Sequence, residues 1–430
     1  MSSKDENSSE SPPGLTHSSD EPAQASSSKS ASKSQSPDPD LEPPLAARVV
    51  AGTTPPLPLN EDETPTLSLP WHIFDHVQDA WVVSPPPDAV AQIAAPLPDA
   101  PQESGKDLTL VTWNVDATSY EQAERFTALI DAVKEVDAEG CPDIIFLQEV
   151  SGISKHTLAD NQFIRTNYFV AGLDWMLQDR DQQFYNATLM SRRRFARGSC
   201  DVFPSLGAAW AVWYPSRYER YALCCDINAP PHVLHGIPEA VRLVNVHFDS
   251  PDVEPSHRPR QTAICSQMVH AHDVHGGIVA GDFNPVLPED LTLVQENDLA
   301  DCWTQLRGDA GAFPGYTWGI DGTAPFPPAR LDKIAYWGVT PKTIEIIHPG
   351  TVTQEIPITY TDRASDEEPA KIPWSDHSGL VMTFNLEKDS VEPAHPKMPP
   401  RPEGPIEAKR ESPADPEVAA AALSDSFVII

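Results

Sequence analysis

No stretch of this 430-residue chain approaches the roughly 18 consecutive apolar residues of a bilayer-spanning helix, so no membrane span is expected. Met1 is followed by Ser, Lys, Asp and Glu rather than by a basic patch and an apolar run, which argues against a secretory leader. The six cysteines (Cys141, Cys200, Cys224, Cys225, Cys265, Cys302) lack the paired spacing of a metal site. Without an export signal they read as reduced thiols, and the expected compartment is the nucleus or the cytoplasm. Positive charge is also scarce: 30 Lys and Arg stand against 63 Asp and Glu, a net charge of −33. Residues 1–100 hold 4 basic and 15 acidic groups and residues 387–430 hold 5 and 9, which leaves −18 for the middle. A broad basic face for duplex nucleic acid is therefore not expected, because such domains are usually cationic.

Residues 1–105 are dominated by Ser, Pro, Asp and Glu, and Pro, Glu, Lys and Ala rise again over residues 387–430. Such stretches bury too little apolar surface to offset their ordering entropy, so both read as disordered tails around one domain at residues 106–386. Within the first tail, residues 70–83 form an apolar island (Trp71 to Val83) expected to dock on the domain's own surface. The only dense cationic cluster is Arg192, Arg193, Arg194 and Arg197. It reads either as a solvated turn or as a local basic patch. No feature signals an oligomer, and a monomer is expected.

Strand-like runs are Leu108–Asn114, Ile144–Leu147, Ala187–Met190, Tyr221–Ile227, Arg242–Val246, Gly277–Ala280, Ile334–Tyr336 and Gly379–Phe384. Helical spacing is clearest over Glu121–Val136 and Arg260–Val274. Strands outnumber helices, so the fold class is α/β. The expected architecture is a four-layer α/β/β/α sandwich of two packed mixed sheets flanked by helices.

Several of these apolar runs end in a polar residue. Asn114 closes Thr112–Asn114, where a strand-end Asn also commonly satisfies local backbone groups. Glu149 follows Ile144–Gln148, and a carboxylate beside a core needs a counter-charge or a metal; hard oxygen ligands suit Mg2+, with Mn2+ as the alternative. His247 ends Val241–Val246, a place where a histidine is ordinarily a satisfied core residue. Asp282 and Asn284 follow Gly277–Ala280 two positions apart, so they point the same way if the strand continues and a carboxylate and an amide converge on one spot; a surface turn built on Gly281 and Asp282 is the alternative. Asp332 lies in Arg330–Ile334, and Ser375–His377 supplies Asp376 and His377, an acid-base pair if one carboxylate keeps the imidazole charged. Four of these motifs, Thr112–Asp116, Leu147–Val150, Gly281–Asn284 and Ser375–His377, read together as a metal-dependent phosphodiesterase.

In order and spacing, Asn114, Glu149, His247, Asp282, Asn284, Asp332, Asp376 and His377 resemble the signature of the exonuclease-endonuclease-phosphatase (deoxyribonuclease I-like) superfamily, over about residues 107–386. The resemblance implies phosphoester hydrolysis by metal-assisted attack of water. It implies Glu149 as principal Mg2+ ligand, with Asn114 and Asp376 beside it. Asp282 would position or activate water, Asn284 would donate to the transition state, and His247 and His377 would contact phosphate, His377 being oriented by Asp332.

Within the superfamily, Thr112–Asp116, Leu147–Val150, His247–Ser250 with Arg258, Arg260 and Gln261, Tyr316–Trp318 and Arg330–Lys333 are similar to the 5′-tyrosyl-DNA phosphodiesterases. That likeness implies a nucleic-acid partner, a 5′-tyrosyl DNA end, with Trp318, Leu331 and Arg258 as substrate-binding residues. The chain departs from that group at Phe283, Leu331 and Lys333, where Thr, an aromatic residue and Arg are usual, and its Trp318–Asp332 segment is short and Pro-rich. The alternatives are an RNA or small-molecule phosphodiesterase of the same superfamily and a non-catalytic scaffold, which would be expected to lack at least one motif residue.

Overall fold

The computed structural model describes residues 65–85, 90, 93–94, 107–136, 141–179, 182–196, 204–229, 240–250, 256–308, 315–322, 324, 326–354 and 370–386, all within the unit Val49–Ile430. Residues 1–64 and 387–430, the greater part of the expected tails, lie outside the described residues.

Two mixed sheets carry the fold. One runs β1 (Thr66–Leu69), β8 (Ser205–Trp213), β9 (Tyr221–Asn228), β10 (Ala240–His247), β11 (Val274–Asp282), β13 (Asp332–Trp337) and β12 (Ala300–Asp301). The other runs β14 (Thr340–Ile347), β17 (Gly379–Asn385), β4 (Asp107–Asn114), β5 (Ile144–Val150), β7 (Tyr185–Ser191), β6 (Tyr168–Ala171), β2 (Trp71–Asp75) and β3 (Ala80–Val83). A ribbon of β15 (Thr351–Thr353) and β16 (Lys371–Pro373) stands apart. The pairs β10 with β11 and β4 with β5 are parallel, and the other pairs are antiparallel.

Alternation along the strands sorts the apolar side chains into three layers of core. Leu108, Leu110, Ile144, Phe146, Leu243, Ile278 and Ile334 meet between the sheets. Val111, Trp113, Ile145 and Leu147 point the other way, onto α1 (Gln122–Lys134), α2 (Gly152–Asp160), α3 (Gln162–Asn167) and α4 (Leu173–Gln178). Phe126, Leu129, Ile130 and Val133 of α1 recur at helical spacing and are buried there. On the far side Val244, Val246 and Val279 pack against Ile264, Cys265 and Met268 of α6 (Arg258–Val269), the chain having formed the short α5 (Arg192–Phe195) in between. This is the expected four-layer α/β/β/α sandwich. No helix among the described residues is long and apolar enough to cross a membrane.

The apolar island is more than a docked arm. β1 adds an edge strand to the first sheet beside β8, and after Pro70 the chain enters the second sheet as β2 beside β6. The Trp71 indole reaches back to the Gly207 carbonyl at 2.9 Å, and Leu69 and Ile73 enter the inter-sheet core. The folded part thus includes residues 66–83, ahead of the expected start at 106, because both sheets offered an open edge there. Two members of the arginine cluster are anchored in the fold: Arg192 is buried with a bond to the Thr166 carbonyl, and Arg194 pairs with Asp143 at 3.0 Å. Arg197 and Cys200 lie outside the described residues. The other five cysteines are buried free thiols.

Candidate active site

The inward faces of five strands change character at one end of the sandwich. Along β4 the series runs Leu108, Leu110, Thr112, Asn114; along β5 Ile144, Phe146, Gln148; along β10 Val241, Leu243, Asn245, His247; along β11 Ile278, Ala280, Asp282; and backwards along β13 Tyr336, Ile334, Asp332. Register puts the polar ends level: His247 pairs with Asp282, Asp282 with Asp332, and Asn114 with Gln148. His377 arrives at the same end just before β17, whose Leu380 pairs with Thr112.

Unusual backbone aims the side chains. Glu149 has φ 56 and sits at an irregularity between Leu147 and Val150 in the pairing of β5 with β7. A left-handed non-Gly residue is uncommon, and here the bulge turns the carboxylate into the site. Asn284 has φ 45. Gly281 has φ 141, and a Cβ there would lie 2.0 Å from the Val246 carbonyl oxygen, so only glycine lets β11 deliver Asp282.

Asn114 Nδ2 donates to both Glu149 Oε1 and Asp282 Oδ2 at 3.1 Å. Its Oδ1 accepts the Asp116 backbone N–H, and its NH2 group braces the two carboxylates. His247 Nε2 lies 3.6 Å from Glu149 and 3.4 Å from Asp282. His377 Nδ1 is 2.8 Å from Asp332 Oδ2, while its Nε2 faces Asp282 at 3.9 Å and Asp376 at 4.0 Å. Asp376 is half exposed and accepts the Trp318 indole N–H at 2.9 Å. Asn284 donates its amide to the Phe248 carbonyl and its backbone N–H to Asp282.

Burial raises the pKa of Asp282 to about 7, with Asp332 pushing the same way against His377. Burial also raises Glu149, aided by Asp376. His247 is pushed well below the usual imidazole range by burial, then by Arg220 and His377, and is neutral. Burial opposes charge on His377 too, yet Asp332, Asp376 and Asp282 overcome it and keep the imidazolium. The chain thus buries excess negative charge, which a divalent cation would offset. Ligand atoms of Glu149, His247 and Asp282 all lie within 4.8 Å of one another, and the two carboxylates among them are the hard oxygen donors that fit such an ion.

Two expected substrate residues are buried. Arg258 is buried, with its guanidinium on Asp290 at 2.8 Å and on the carbonyls of Asp249 and Ser250; it holds the segment after His247 rather than facing solvent. Leu331 is also buried, its carbonyl accepting the Phe283 N–H, and Trp318 alone of the three is partly exposed at the rim. One site residue went unread: Arg220, on the loop before β9, whose charge is felt by Glu149, His247 and Asp282. It bonds to the Phe248 carbonyl and to Ser250 Oγ and stacks on Tyr218. No motif marks it. Its position follows from β9 running antiparallel to β10, which brings the start of β9 to the end of β10.

The profile of the Endonuclease/Exonuclease/phosphatase family matches residues 111–377. Among solved structures the chain is similar to humanized D. rerio TDP2, at 19% identity over 65% of this chain and 100% of that one, with a TM-score of 0.47. It is similar to truncated Caenorhabditis elegans TDP2, at 19% identity over 65% and 97%, TM-score 0.46. It is also similar to a Bacteroides thetaiotaomicron VPI-5482 mannosyl-6-phosphatase, at 15% identity over 64% and 99%, TM-score 0.42. No curated protein sequence matches.

Proposed function

The chain belongs to the endonuclease/exonuclease/phosphatase family, and from that membership we propose that it is a Mg2+-dependent phosphodiesterase acting at nucleic-acid ends, with 5′-tyrosyl adducts on DNA as the leading substrate class. Membership supports hydrolysis at phosphoester bonds. The observation that carries the finer reading is the convergence of Asn114, Glu149, His247, Asp282, Asp332 and His377 at one end of the inter-sheet layer.

Asp282, braced by Asn114 and facing His247 and His377, is placed to orient an attacking water or take its proton. His377, held charged by Asp332, faces a phosphoryl oxygen as hydrogen-bond and proton donor. Asn114 and Asn284 keep the carboxylates and the loop after His247 in place, and neutral His247 offers Nε2 to the reacting group. Glu149, with Asp282 and His247 in reach and Asp376 on the rim, would hold Mg2+, for which Mn2+ could substitute. When bound, the ion supplies charge neutralisation at the phosphate and at the leaving oxygen.

A terminal phosphodiester suits this chain because it asks for few phosphate contacts. Arg192 and Arg194 of α5 are anchored within the fold. The net charge of −33 favours a second reading, an RNA or small phosphodiester substrate. The corresponding setting is a monomer in the nucleus or cytoplasm.

The test is Mg2+-dependent release of tyrosine from a 5′-tyrosyl oligonucleotide, run beside an abasic duplex, a single-stranded RNA and a small phosphodiester. Release that is blocked by chelator and by Asp282→Asn is the expected outcome. Cleavage of another substrate alone keeps the chemistry and reassigns the substrate; inactivity on all four overturns the proposal.

A further inference from the structure

Directly beneath the carboxylates, two buried amides tie the sheets together. Gln148 Nε2 donates to Thr112 Oγ1 at 3.0 Å within its own sheet and to Asn245 Oδ1 at 2.8 Å across the sandwich. Asn245 Nδ2 returns to the second sheet, donating to the Ala187 carbonyl at 2.9 Å and the Leu147 carbonyl at 3.3 Å. Both amides are completely buried.

Those two carbonyls sit where the β5–β7 ladder breaks. Leu147 pairs with Ala187 and Val150 with Tyr185, so Gln148 and Glu149 together oppose Asn186. One residue too many leaves the ladder locally unpaired, and Asn245 from the opposite sheet catches the carbonyls of Leu147 and Ala187, the last partners on the two strands before the break. The same Asn245 lies two positions before His247 on one strand face, so its anchorage also sets where His247 points. Gln148 Oε1 is buried and meets no donor among the described residues. A buried polar bridge that leaves an acceptor unmet is poorly suited to stability alone, for which an apolar pair would serve.

We infer that Asn245, seconded by Gln148, is a positioning residue that holds the Glu149 bulge from the opposite sheet and thereby sets Glu149 against His247. The inference rests on the proposed role of those two residues. It specifies what maintains the left-handed Glu149 and its 3.6 Å separation from His247.

The test uses the full chain, with metal-free crystal structures and kinetics of the wild type, Asn245→Leu and Gln148→Met. Asn245→Leu keeps the side chain's branching and Gln148→Met its length, and both remove the amide. In any variant that folds, Glu149 is expected to leave the left-handed region or to move from His247 by about 1 Å or more. Turnover should fall about 10- to 100-fold with KM within a factor of two, and the half-saturating Mg2+ concentration should rise, as for residues that orient metal ligands. Unchanged Glu149 geometry would overturn the inference. So would a lower melting temperature with unchanged turnover per folded molecule, or failure of both variants to fold. The crystallographic readout does not depend on activity, so a wild type inactive on all four substrates would remove the proposed function and leave this geometric claim separately judged.

Discussion

At one end of the inter-sheet layer Leu110, Phe146, Leu243 and Ile278 pack without a polar atom among them; at the other, a few residues further along the same strands, Asn114, Glu149, His247 and Asp282 crowd together. Ordinary burial and regular pairing hold the first. The second holds positive φ at Glu149 and Asn284, carboxylates whose pKa burial has raised, and an interrupted ladder. The apolar end supplies the stability that lets the polar end persist in an arrangement it would not choose alone.

The sharpest way to separate the two ends is to neutralise the second. Glu149→Gln and Asp282→Asn should each lower kcat/KM by about 10³-fold or more, equivalent to roughly 4 kcal/mol of transition-state stabilisation. The metal-free fold should be unharmed or firmer, since each change removes a buried charge. Turnover and melting temperature measured on the same samples decide it, and wild-type turnover in either variant would sink the site assignment.

At the apolar end the converse holds. Phe146 is fully buried between the sheets, and Phe146→Ala should cost about 3–5 kcal/mol in urea unfolding while turnover per folded molecule stays unchanged. A large loss of specific activity would mean that the two ends are mechanically coupled.

A pH titration separates them more finely. The Asp282 pKa is raised from 3.8 to about 7 in the fold, so its protonated form contributes stability that is complete below about 4 and is lost as pH rises through 7. The metal-free stability of Asp282→Asn relative to wild type should therefore grow between pH 4 and 7, and saturating Mg2+ should abolish that growth. A constant difference across the range would show that Asp282 is not held in its protonated form by burial.

The smallest effect belongs to the amino-terminal clasp. Trp71→Phe removes the indole bond to the Gly207 carbonyl and should cost about 1 kcal/mol with no change in turnover, checked by denaturant midpoint and steady-state kinetics. A change in turnover would tie the sandwich edge to the site.

Much of this contrast was legible beforehand. Strands such as Leu108–Asn114 and Ile144–Leu147 announce themselves by apolar residues in runs, and the polar residue closing each run marks the open end of the layer. Helices α2 to α4 were not read, since they are short and weakly patterned, and β14 hides behind Lys342 and Glu345, exposed side chains of an edge strand. The resemblance to the 5′-tyrosyl-DNA phosphodiesterases implies a substrate contact at Arg258; Asp290, 32 positions on, pairs with it in the interior. Arg220 had no local signal at all.

Residue order alone determined the alternation that separates three core layers, the positions of the acids, amides and histidines at strand ends, and the family to which they belong. These depend on side-chain periodicity and short-range spacing. Tertiary structure alone decided that Asn114 donates to two carboxylates, that His377 is charged and His247 neutral, that the amino-terminal strands close both sheets, and that Asn245 holds a bulge in the opposite sheet. Each depends on burial and on distances between residues far apart in the chain, and a pKa or an across-sheet hydrogen bond has no value until those distances exist.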